Sequence, residues 1–526
     1  NIGLFIQDNW KFKQNLTLNL GLRWEYFAPI KAGGDSVIGR LVVGNNGLND
    51  ARIETVKEFT NKDLDNFAPQ LGFAWSPKWF NGKAVIRGGG GIGYDRLASA
   101  LFSNARFAPP NAARYSICCG GSNNADGPFN INQSATEGLI QFVSSTDGTI
   151  YGFPQNSTLG GGFGANGGPT KGTVEIYSTP AELPNAFVYR YSLEAQYELP
   201  MQMVGTIGYQ GSLGRRFVRI LPLHLINSST TAPTFRLVYF ASPDVNTSFN
   251  ALNANLRKRF SKSFDFNVNY RFSKSLDTVS VEAPCACTNQ TYPFDNSTEK
   301  GPSDFDVTHY AVMSGTWEPQ WFKGQNNIGG DLLAGWSFSP IVTWRGGFPW
   351  TPVVGGGIRL STDTASVGTI RPRNYYGTAP LDNNNATLLS TGMFPNNLIR
   401  NAAGAVVACN NLTTTPNGCS NYFLTPLNGN TYQTNAPGVG RNVFRGPRYF
   451  STDLSIAKNI KLPAVGFIGE AANINLRFNF FNLFNTLNLA PYNAFSNITR
   501  VDNVQFGYPT AALAGRVGEF QIRFSF

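Results

Sequence analysis

The chain of 526 residues is rich in glycine, with 56, and in aromatic residues, at 13%, whereas charged residues make up only 14%. Long Ala/Glu/Lys/Leu stretches with helical spacing are absent from the sequence, so the composition favours strands joined by polar loops. The formal net charge is +10. Because the basic residues are scattered and form no Lys/Arg run, the charge does not indicate a nucleic-acid partner.

Hydropathy excludes one kind of membrane protein and leaves another open. No segment approaches the ~18 consecutive apolar residues of a membrane helix. A membrane β-barrel needs only ~10-residue segments in which every second residue is apolar, and an averaged profile hides such segments. Alternation between apolar and polar residues is therefore the informative pattern.

Thirteen segments alternate between apolar and polar residues, which is the period of a β-strand. A clear case is residues 15–26, whose apolar positions are Leu16, Leu18, Leu20, Leu22, Trp24 and Tyr26. The predicted strands are 1–12, 15–27, 67–77, 84–95, 187–198, 203–213, 249–260, 264–275, 307–318, 330–344, 448–459, 473–485 and 517–526. Most are longer than the ~5–6 residues usual in globular proteins, and aromatic residues gather near their ends, which favours a membrane barrel over a soluble β-sandwich.

The connections between these strands alternate in length. Tight or modest turns, such as KQN, LPMQ and SKS, alternate with long loops near 28–66, 96–186, 214–248, 276–306, 345–447 and 486–516. Outer-membrane barrels have short periplasmic turns and long extracellular loops. The sequence therefore predicts an antiparallel transmembrane β-barrel with long extracellular loops, in which the last strand descends to the periplasm.

The strand count bears on what part of a barrel the chain is. Bacterial single-chain barrels have an even number of strands, so either one strand is missed or the chain is the C-terminal portion of a larger barrel. The opening NIGLFIQDNW, without an initiator Met or a signal-peptide core, favours the second interpretation.

A series of sequence blocks resembles a known family. The blocks are GLFIQDNWKFKQNLTLNLGLRWEYF, NFAPQLGFAWSP, VIRGGGGIGYD, GYQGSLGRRF, NALNANLRKRFSKSFDFNVNYRFSKSLD, GPSDFDVTHY, GRNVFRGPRYFSTDLSIAKN and LRFNFFNLFNTLN. In this order they resemble the C-terminal barrel region of Oar-like TonB-dependent receptors. The resemblance extends over residues 1–526 and is interrupted by the long loops.

The resemblance implies a function and a location. It implies a bacterial outer-membrane receptor or transporter for uptake or export of an unknown solute, with a barrel of about 22 strands. An N-terminal plug, which would gate the lumen, and a carboxypeptidase-regulatory-like domain have no match in this chain. The implied partners are outer-membrane lipid and lipopolysaccharide, the barrel assembly machinery, the TonB complex and the solute. A structural or adhesive barrel that transports nothing, and a passive channel, are the alternatives.

Several polar residues are predicted to face the lumen. They are Arg23, Glu25, Arg190, Glu194, Arg257, Arg271 and Arg477. They are either a transport surface or charge ladders that hold the wall or a plug. Enzymatic activity is not expected, since of the two histidines, His224 and His309, only His309 starts a strand and no nucleophile motif accompanies it.

A glycine-rich motif does not indicate a nucleotide cofactor. RGGGGIGYD has GxGxxG spacing at Gly88, Gly90 and Gly93, but a nucleotide site requires a following helix, and here a strand ends at Tyr94. We expect small residues there to let an interior element approach the wall. Calcium binding by the polar outer loops is an alternative that one sequence cannot decide.

The six cysteines all fall in predicted outer loops. Their even number favours disulfides in an oxidising compartment. Cys409 and Cys419 form the candidate disulfide, and the pairing of the other four is open.

The C-terminal segment GEFQIRFSF alternates to its last residue. It resembles the signal that the barrel assembly machinery reads, and Phe520, Ile522, Phe524 and Phe526 would face lipid or that machinery.

Overall fold

The computed structural model describes residues 1–98, 101–102, 108, 129–133, 140–144, 150–151, 164–168, 174–223, 235–280, 295–322, 333–352, 398–400, 406–408, 440–461, 473–492, 497–499 and 507–525. Thirteen strands form its main path: β1 Ile2–Lys13, β2 Leu16–Tyr26, β3 Phe67–Trp75, β4 Ala84–Asp95, β5 Ala186–Leu199, β6 Met203–Pro222, β7 Phe235–Ser261, β8 Phe264–Asp277, β9 His309–Trp317, β10 Trp336–Arg345, β11 Tyr449–Lys461, β12 Asn473–Phe481 and β13 Val517–Ser525. Each overlaps one of the thirteen predicted segments.

The main sheet is an antiparallel meander in which each strand pairs with the next along this path. Val174–Ser178 adds to β7 in parallel and Gly301–Pro302 adds to β8, which makes a sheet of 15 strands. Within the described residues, β1 and β13 each pair on one side only. The prediction of an all-β, antiparallel fold is confirmed.

Short elements lie in the connections. The paired ones are Ile38–Gly44 with Gly47–Val56, Phe129–Gln133 with Ile140–Ser144 and Ile150–Tyr151, Pro349–Trp350 with Phe444–Arg445, and Leu398–Arg400 with Val406–Ala408. Single 3₁₀ turns occur at Lys78–Phe80, Asn296–Glu299 and Asn497–Thr499. Among the described residues, no helix has the length and apolar character needed to cross a membrane.

The sheet has two chemically distinct faces because side chains alternate along every strand. One face, here the apolar face, carries cross-strand pairs such as Leu18 with Phe73 and Leu20 with Leu71. The other, here the polar face, carries pairs such as Asn19 with Gly72 and Gly21 with Gln70. The alternation predicted from the sequence is therefore confirmed in register.

Short turns join the strands at one end of the sheet. Two of them hold pairs of non-glycine residues with positive φ: Met201 and Gln202 at 62° and 60°, and Lys262 and Ser263 at 51° and 74°. Two positive φ values are what a type I′ hairpin turn requires. These turns connect β5 to β6 and β7 to β8 directly, so this end is called the short-turn end and the other the long-connection end.

Aromatic side chains gather at both ends of the apolar face. At the short-turn end the contacting rings are Trp75 with Trp79, Phe80 with Tyr197, and Trp317 with Trp321, with centroids 5.2–5.8 Å apart. At the long-connection end they are Tyr94 with Phe187, Phe187 with Tyr189, and Phe272 with His309, at 5.1–5.8 Å. The two belts lie about eight residues apart along a strand, roughly 26 Å. Barrel strands tilt by about 40°, so this spacing corresponds to a height of about 20 Å, of the same order as the ~25 Å apolar band of membrane barrels.

Two lysines on the apolar face direct their ammonium groups into the short-turn end. Nζ of Lys258 donates to the carbonyls of Ser261 at 2.7 Å and Phe264 at 2.9 Å. Nζ of Lys458 donates to the Ala334 carbonyl at 3.1 Å. Both lysines are buried, so carbonyl groups rather than water stabilise their charge beside the apolar layer, and these contacts mark the boundary of the layer.

The predicted loop 214–248 is wrong over most of its length. Strand β6 continues to Pro222 and β7 begins at Phe235, so the two strands have 20 and 27 residues. The cap is here defined as these extensions, residues 214–222 and 235–248, together with the hairpin Ile38–Gly44 and Gly47–Val56, Leu101 and the segment 174–183 that pack against them. Tertiary packing sustains the strands there, since Val218, Ile220 and Ala241 pack with Leu101 and Leu183 in a buried cluster.

A second buried cluster completes the cap. Its members are Leu41, Leu48, Ala51, Ile176, Phe235 and Val238. Arg219 and Asp244 join β6 to β7 within the cap by two hydrogen bonds of 2.6 Å. The cap therefore has its own apolar interior beyond the long-connection end.

Candidate functional site

A recess of about 650 Å³ occupies the polar face across strands β1 to β7. One register row crosses it, in which Gln7 faces Gly21, Gly21 faces Gln70, and Gln70 faces Gly91. The row continues through Arg190 to Ser212. Small and uncharged polar residues line most of the recess, and Arg190 supplies its positive charge.

Glycines of β4 shape this recess. A Cβ at Gly89 would lie 2.6 Å from the Leu71 carbonyl oxygen, whereas a Cβ at Gly93 would meet nothing within 4 Å. Gly89 is therefore required for close strand packing, and Gly93 simply leaves space. Of the predicted GxGxxG positions, Gly88 and Gly90 face Leu193 and Tyr191 on the apolar face, so only Gly93 lies on the polar face.

The seven predicted lumen-facing residues all take polar-face positions, but they form no single cluster. Nε of Arg23 donates to Glu25 at 2.8 Å. Glu194 lies 3.5 Å from Arg87, a partner the sequence analysis did not name. Arg257 lies opposite Asn267, and Arg477 opposite Gln521. These contacts are mostly pairs within the wall.

Arg271 belongs to a row that sequence reasoning missed. Arg271 faces Tyr310, Tyr310 faces Arg345, and Arg345 faces Tyr449 across strands β8 to β11. The guanidinium carbon of Arg271 lies 5.4 Å from the Tyr310 ring centroid. That of Arg345 lies 4.3 Å from Phe348 and 5.3 Å from Tyr449. These five residues are here called the arginine–aromatic row; they lie on the polar face near the long-connection end.

A second arginine cluster lies at the same end. Arg441 is 7% exposed at its side chain and pairs with Asp277, which is 2% exposed, and with Asp304 at 3.3 Å. Arg445 pairs with Asp306. These five residues are here called the buried clamp. They join the blocks GPSDFDVTHY and GRNVFRGPRYF, which sequence analysis noted only as parts of a resemblance.

An acidic pair lies beside the cap. Asp63 accepts hydrogen bonds from the backbone and side-chain amides of Asn185 at 2.8 and 3.0 Å. The hydrogen bond between the Asp65 carboxyl and Asp63 raises the pKa of Asp65, and the negative charge of Asp63 raises it further. Asp65 is thus easier to protonate than an ordinary aspartate.

His309 lies in the aromatic belt of the apolar face. Its Nδ1 is 2.8 Å from the Tyr270 hydroxyl, and its ring lies 5.1 Å from Phe272 and 6.0 Å from Trp344. This is a rim position between aromatic rings on the side away from the recess.

Strand β13 places three residues of the predicted assembly signal on the apolar face. Ile522 lies opposite Leu476, and Phe524 opposite Ile474. The Phe520 ring stacks on Phe478 with centroids 4.6 Å apart. Phe526 lies outside the described residues, so the role of the complete segment stays a prediction.

Other predicted features fall outside the described residues as well. These are His224 and all six cysteines, including Cys409 and Cys419. In the part of the chain that the structure describes, no group of three or more His, Cys, Asp or Glu residues is placed to hold a metal ion. Calcium binding by the outer loops stays a prediction.

Comparison with known protein families agrees with this architecture. Residues 1–522 match the family model described as "Outer membrane beta barrel domain". No curated protein has a sequence that matches this chain.

Three solved structures that align with this chain are receptors. A variant of the ferric enterobactin receptor PfeA from Pseudomonas aeruginosa is 11% identical, with a TM-score of 0.39 over 98% of this chain and 43% of that one. The siderophore receptor PiuA from Acinetobacter baumannii is 9% identical, with a TM-score of 0.42 over 99% and 42%. The pyoverdine receptor FpvA from Pseudomonas aeruginosa PAO1 is 9% identical, with a TM-score of 0.42 over 100% and 42%.

The chain spans less than half the length of these three receptors. The family match covers nearly all of the 526 residues. An outer-membrane barrel requires one polar face and one apolar face with aromatic belts at both ends, and the main sheet has both. The chain therefore belongs to the outer membrane beta barrel domain family and resides in the bacterial outer membrane.

Proposed function

We propose that this chain is the barrel region of an Oar-like TonB-dependent receptor that moves a solute across the outer membrane. The polar face would line the lumen, the apolar face would contact lipid, and a plug from a further part of the protein would gate the passage. The resemblance of the ordered sequence blocks supports the receptor class. The recess on the polar face is the observation that carries the proposal.

The recess suits an interior element rather than an open pore. Its floor includes Gly21, Gly72, Gly91 and Gly93, so the backbone of the wall is accessible from the polar side. An inserted segment can approach such a wall closely and form hydrogen bonds with Gln70 and Gln210. A permanently open channel has no need of this floor, whereas a plug that must be held and released does.

Transport also requires binding that is weak and distributed. The seven predicted lumen-facing residues are spread over β2, β5, β7, β8 and β12, and several are partly neutralised by neighbours, as Arg23 is by Glu25. A solute would thus meet successive weak contacts.

Uptake can be tested without knowing the solute. A strain lacking the gene, a strain lacking TonB and the parent would be grown in the same medium, and depletion of medium solutes would be followed by mass spectrometry. We expect at least one solute to be depleted more slowly in both mutants than in the parent. Depletion that depends on this gene but not on TonB would contradict energy-coupled uptake.

The passive-channel alternative has its own test. The full-length protein in a planar lipid bilayer should show little conductance until denaturant loosens the plug. Steady open-channel steps in the absence of denaturant would favour the passive channel instead.

A further inference from the structure

Two arginines of the arginine–aromatic row have unsatisfied donors. Nε of Arg271 and Nη1 of Arg345 are shielded from solvent and have no hydrogen-bond acceptor among the described residues. A shielded N–H group without an acceptor is unfavourable, and more so when it carries charge. Because both arginines are only partly buried as residues, a small side-chain rotation brings these donors to an acceptor that arrives with a ligand, which would remove this penalty.

The charges of the row are not neutralised within the described residues. Neither Arg271 nor Arg345 has a carboxylate within ion-pair distance there. Asp453, the polar-face carboxylate of β11, is four residues from Tyr449, about 13 Å along the strand. Its Oδ1 already accepts hydrogen bonds from Ser451 and Asn482.

The aromatic rings hold the guanidinium groups without using their donors. Phe348 and Tyr449 both contact Arg345 through their rings. Ring contact fixes the plane of a guanidinium and leaves its edge N–H groups free for planar acceptors such as carboxylate or phosphate. The row therefore has preorganised positive groups with donors still available.

Backbone contact fixes the loop that carries Phe348. A Cβ at Gly347 would lie 1.8 Å from the Gly446 carbonyl oxygen, so only glycine permits this approach. The Gly446 amide donates to the Phe348 carbonyl at 2.7 Å. The ring over Arg345 is thus positioned by the same contact that joins the two connections.

The spacing sets the size of a suitable ligand. Arg271 and Arg345 are two strands apart, so their backbones are about 9.6 Å apart. Their long side chains allow two anionic groups of one small molecule to be held together.

We propose that the arginine–aromatic row is a binding site for a solute with at least two anionic groups, carboxylate or phosphate, at the outer mouth of the lumen. The identification of this anion with the transported solute rests on the proposed function; anion binding itself does not.

The test uses purified full-length protein in detergent, titrated calorimetrically with inorganic pyrophosphate and, separately, with citrate. The two probes distinguish phosphate from carboxylate recognition. We expect at least one to bind at low ionic strength, and R271Q/R345Q to weaken that binding by at least about tenfold, since bonds to charged groups are strong. R271K/R345K keeps both charges but loses the planar fork, so it should bind the probe more weakly than the wild type and more tightly than R271Q/R345Q.

Lys274→Gln is the matched control. It removes one positive charge from the same strand, β8, but Lys274 lies opposite Asn250 on the other face. Binding should be unchanged in this variant. Equal loss in Lys274→Gln and R271Q/R345Q would show a general charge effect and overturn the site.

A second measurement needs no variant. Phenylglyoxal modifies accessible arginines, and peptide mass mapping of the wild-type protein should show that the bound probe protects Arg271 and Arg345 but not the exposed Arg448. Absence of probe binding to the wild-type protein would overturn the proposal, as would binding with no protection of these two residues. A protein that binds the probe but supports no uptake in cells would contradict the transport function alone.

Discussion

The buried clamp and the arginine–aromatic row place the same side chain in two different environments at one end of the sheet. In the clamp, Arg441 donates to the Asp277 carboxylate, to Asp304 and to backbone carbonyls of Asp277 and Glu299. In the row, Arg345 contacts two aromatic rings and retains a shielded donor that has no acceptor among the residues the structure describes. Carboxylates satisfy the first arginine, whereas ring faces only orient the second.

The difference indicates which arginine stabilises the fold and which is available to a ligand. A buried ion pair is costly to break from one side, because the remaining charge is left without compensation. A ring-stacked arginine adds about 0.5–1 kcal/mol where it is exposed. Variants of the two clusters should therefore separate stability from binding.

The largest effect is expected in the clamp. Arg441→Ala leaves the buried Asp277 carboxylate without its counter-charge, and it should destabilise the protein by about 3–5 kcal/mol. The free energy of unfolding would be measured by urea titration of full-length protein in detergent. Arg448→Ala, an exposed neighbour in the same connection, is the control and should change little.

A compensating variant makes the clamp prediction sharper. Asp277→Asn in the Arg441→Ala background removes the stranded charge, and Ser280 still donates to position 277. Partial recovery of stability is expected. If the double variant is no more stable than Arg441→Ala, the buried unpaired charge of Asp277 is not the cause of the destabilisation.

A smaller effect on stability is expected in the row. Arg345→Gln loses ring contacts but leaves no buried carboxylate behind among the described residues, so it should cost about 1 kcal/mol or less. The same urea titration measures it. A loss of stability as large as that of Arg441→Ala would mean that the row stabilises the sheet as the clamp does, and the contrast between the two clusters would be wrong.

The smallest effect is expected at the acidic pair Asp63 and Asp65. Because Asp63 raises the pKa of Asp65, the ionised form of Asp65 disfavours the folded state at neutral pH. This penalty disappears as pH falls through the raised pKa. Asp65→Asn should therefore stabilise the protein at pH 7 by about 0.5 kcal/mol or less, given the exposure of the site.

The pH dependence supplies the check. The difference in stability between Asp65→Asn and the wild type should shrink as pH is lowered toward 4. It is measured from the unfolding midpoints of both proteins at each pH. A difference that grows on acidification would have the wrong sign for a raised pKa.

Strand positions and faces could be predicted from the sequence because alternation is a local property. Leu18, Leu20 and Phe520 lie on the apolar face as their spacing indicates. The extensions of β6 and β7 could not be predicted, since they depend on packing of Val218 and Ala241 against distant residues.

The candidate sites were harder to predict because they depend on register. Arg271 was identified as lumen-facing from alternation alone. Arg345 was missed, since the predicted strand stopped at 344, and nothing local places it two strands from Arg271. The clamp joins residues 137 or more apart in sequence, so only the fold brings them together.

The bulge in β6 has a mechanical consequence. The register between β6 and β7 shifts around Phe217, and Arg216 has a φ of 61°. Bulges bend a strand and increase its twist, and the Arg216 guanidinium carbon lies 5.3 Å from the ring of Phe187 in the aromatic belt. The ribbon formed by β6 and β7 therefore bends beside the aromatic belt, and this bend sets the direction in which the buried clusters of the cap extend away from the main sheet.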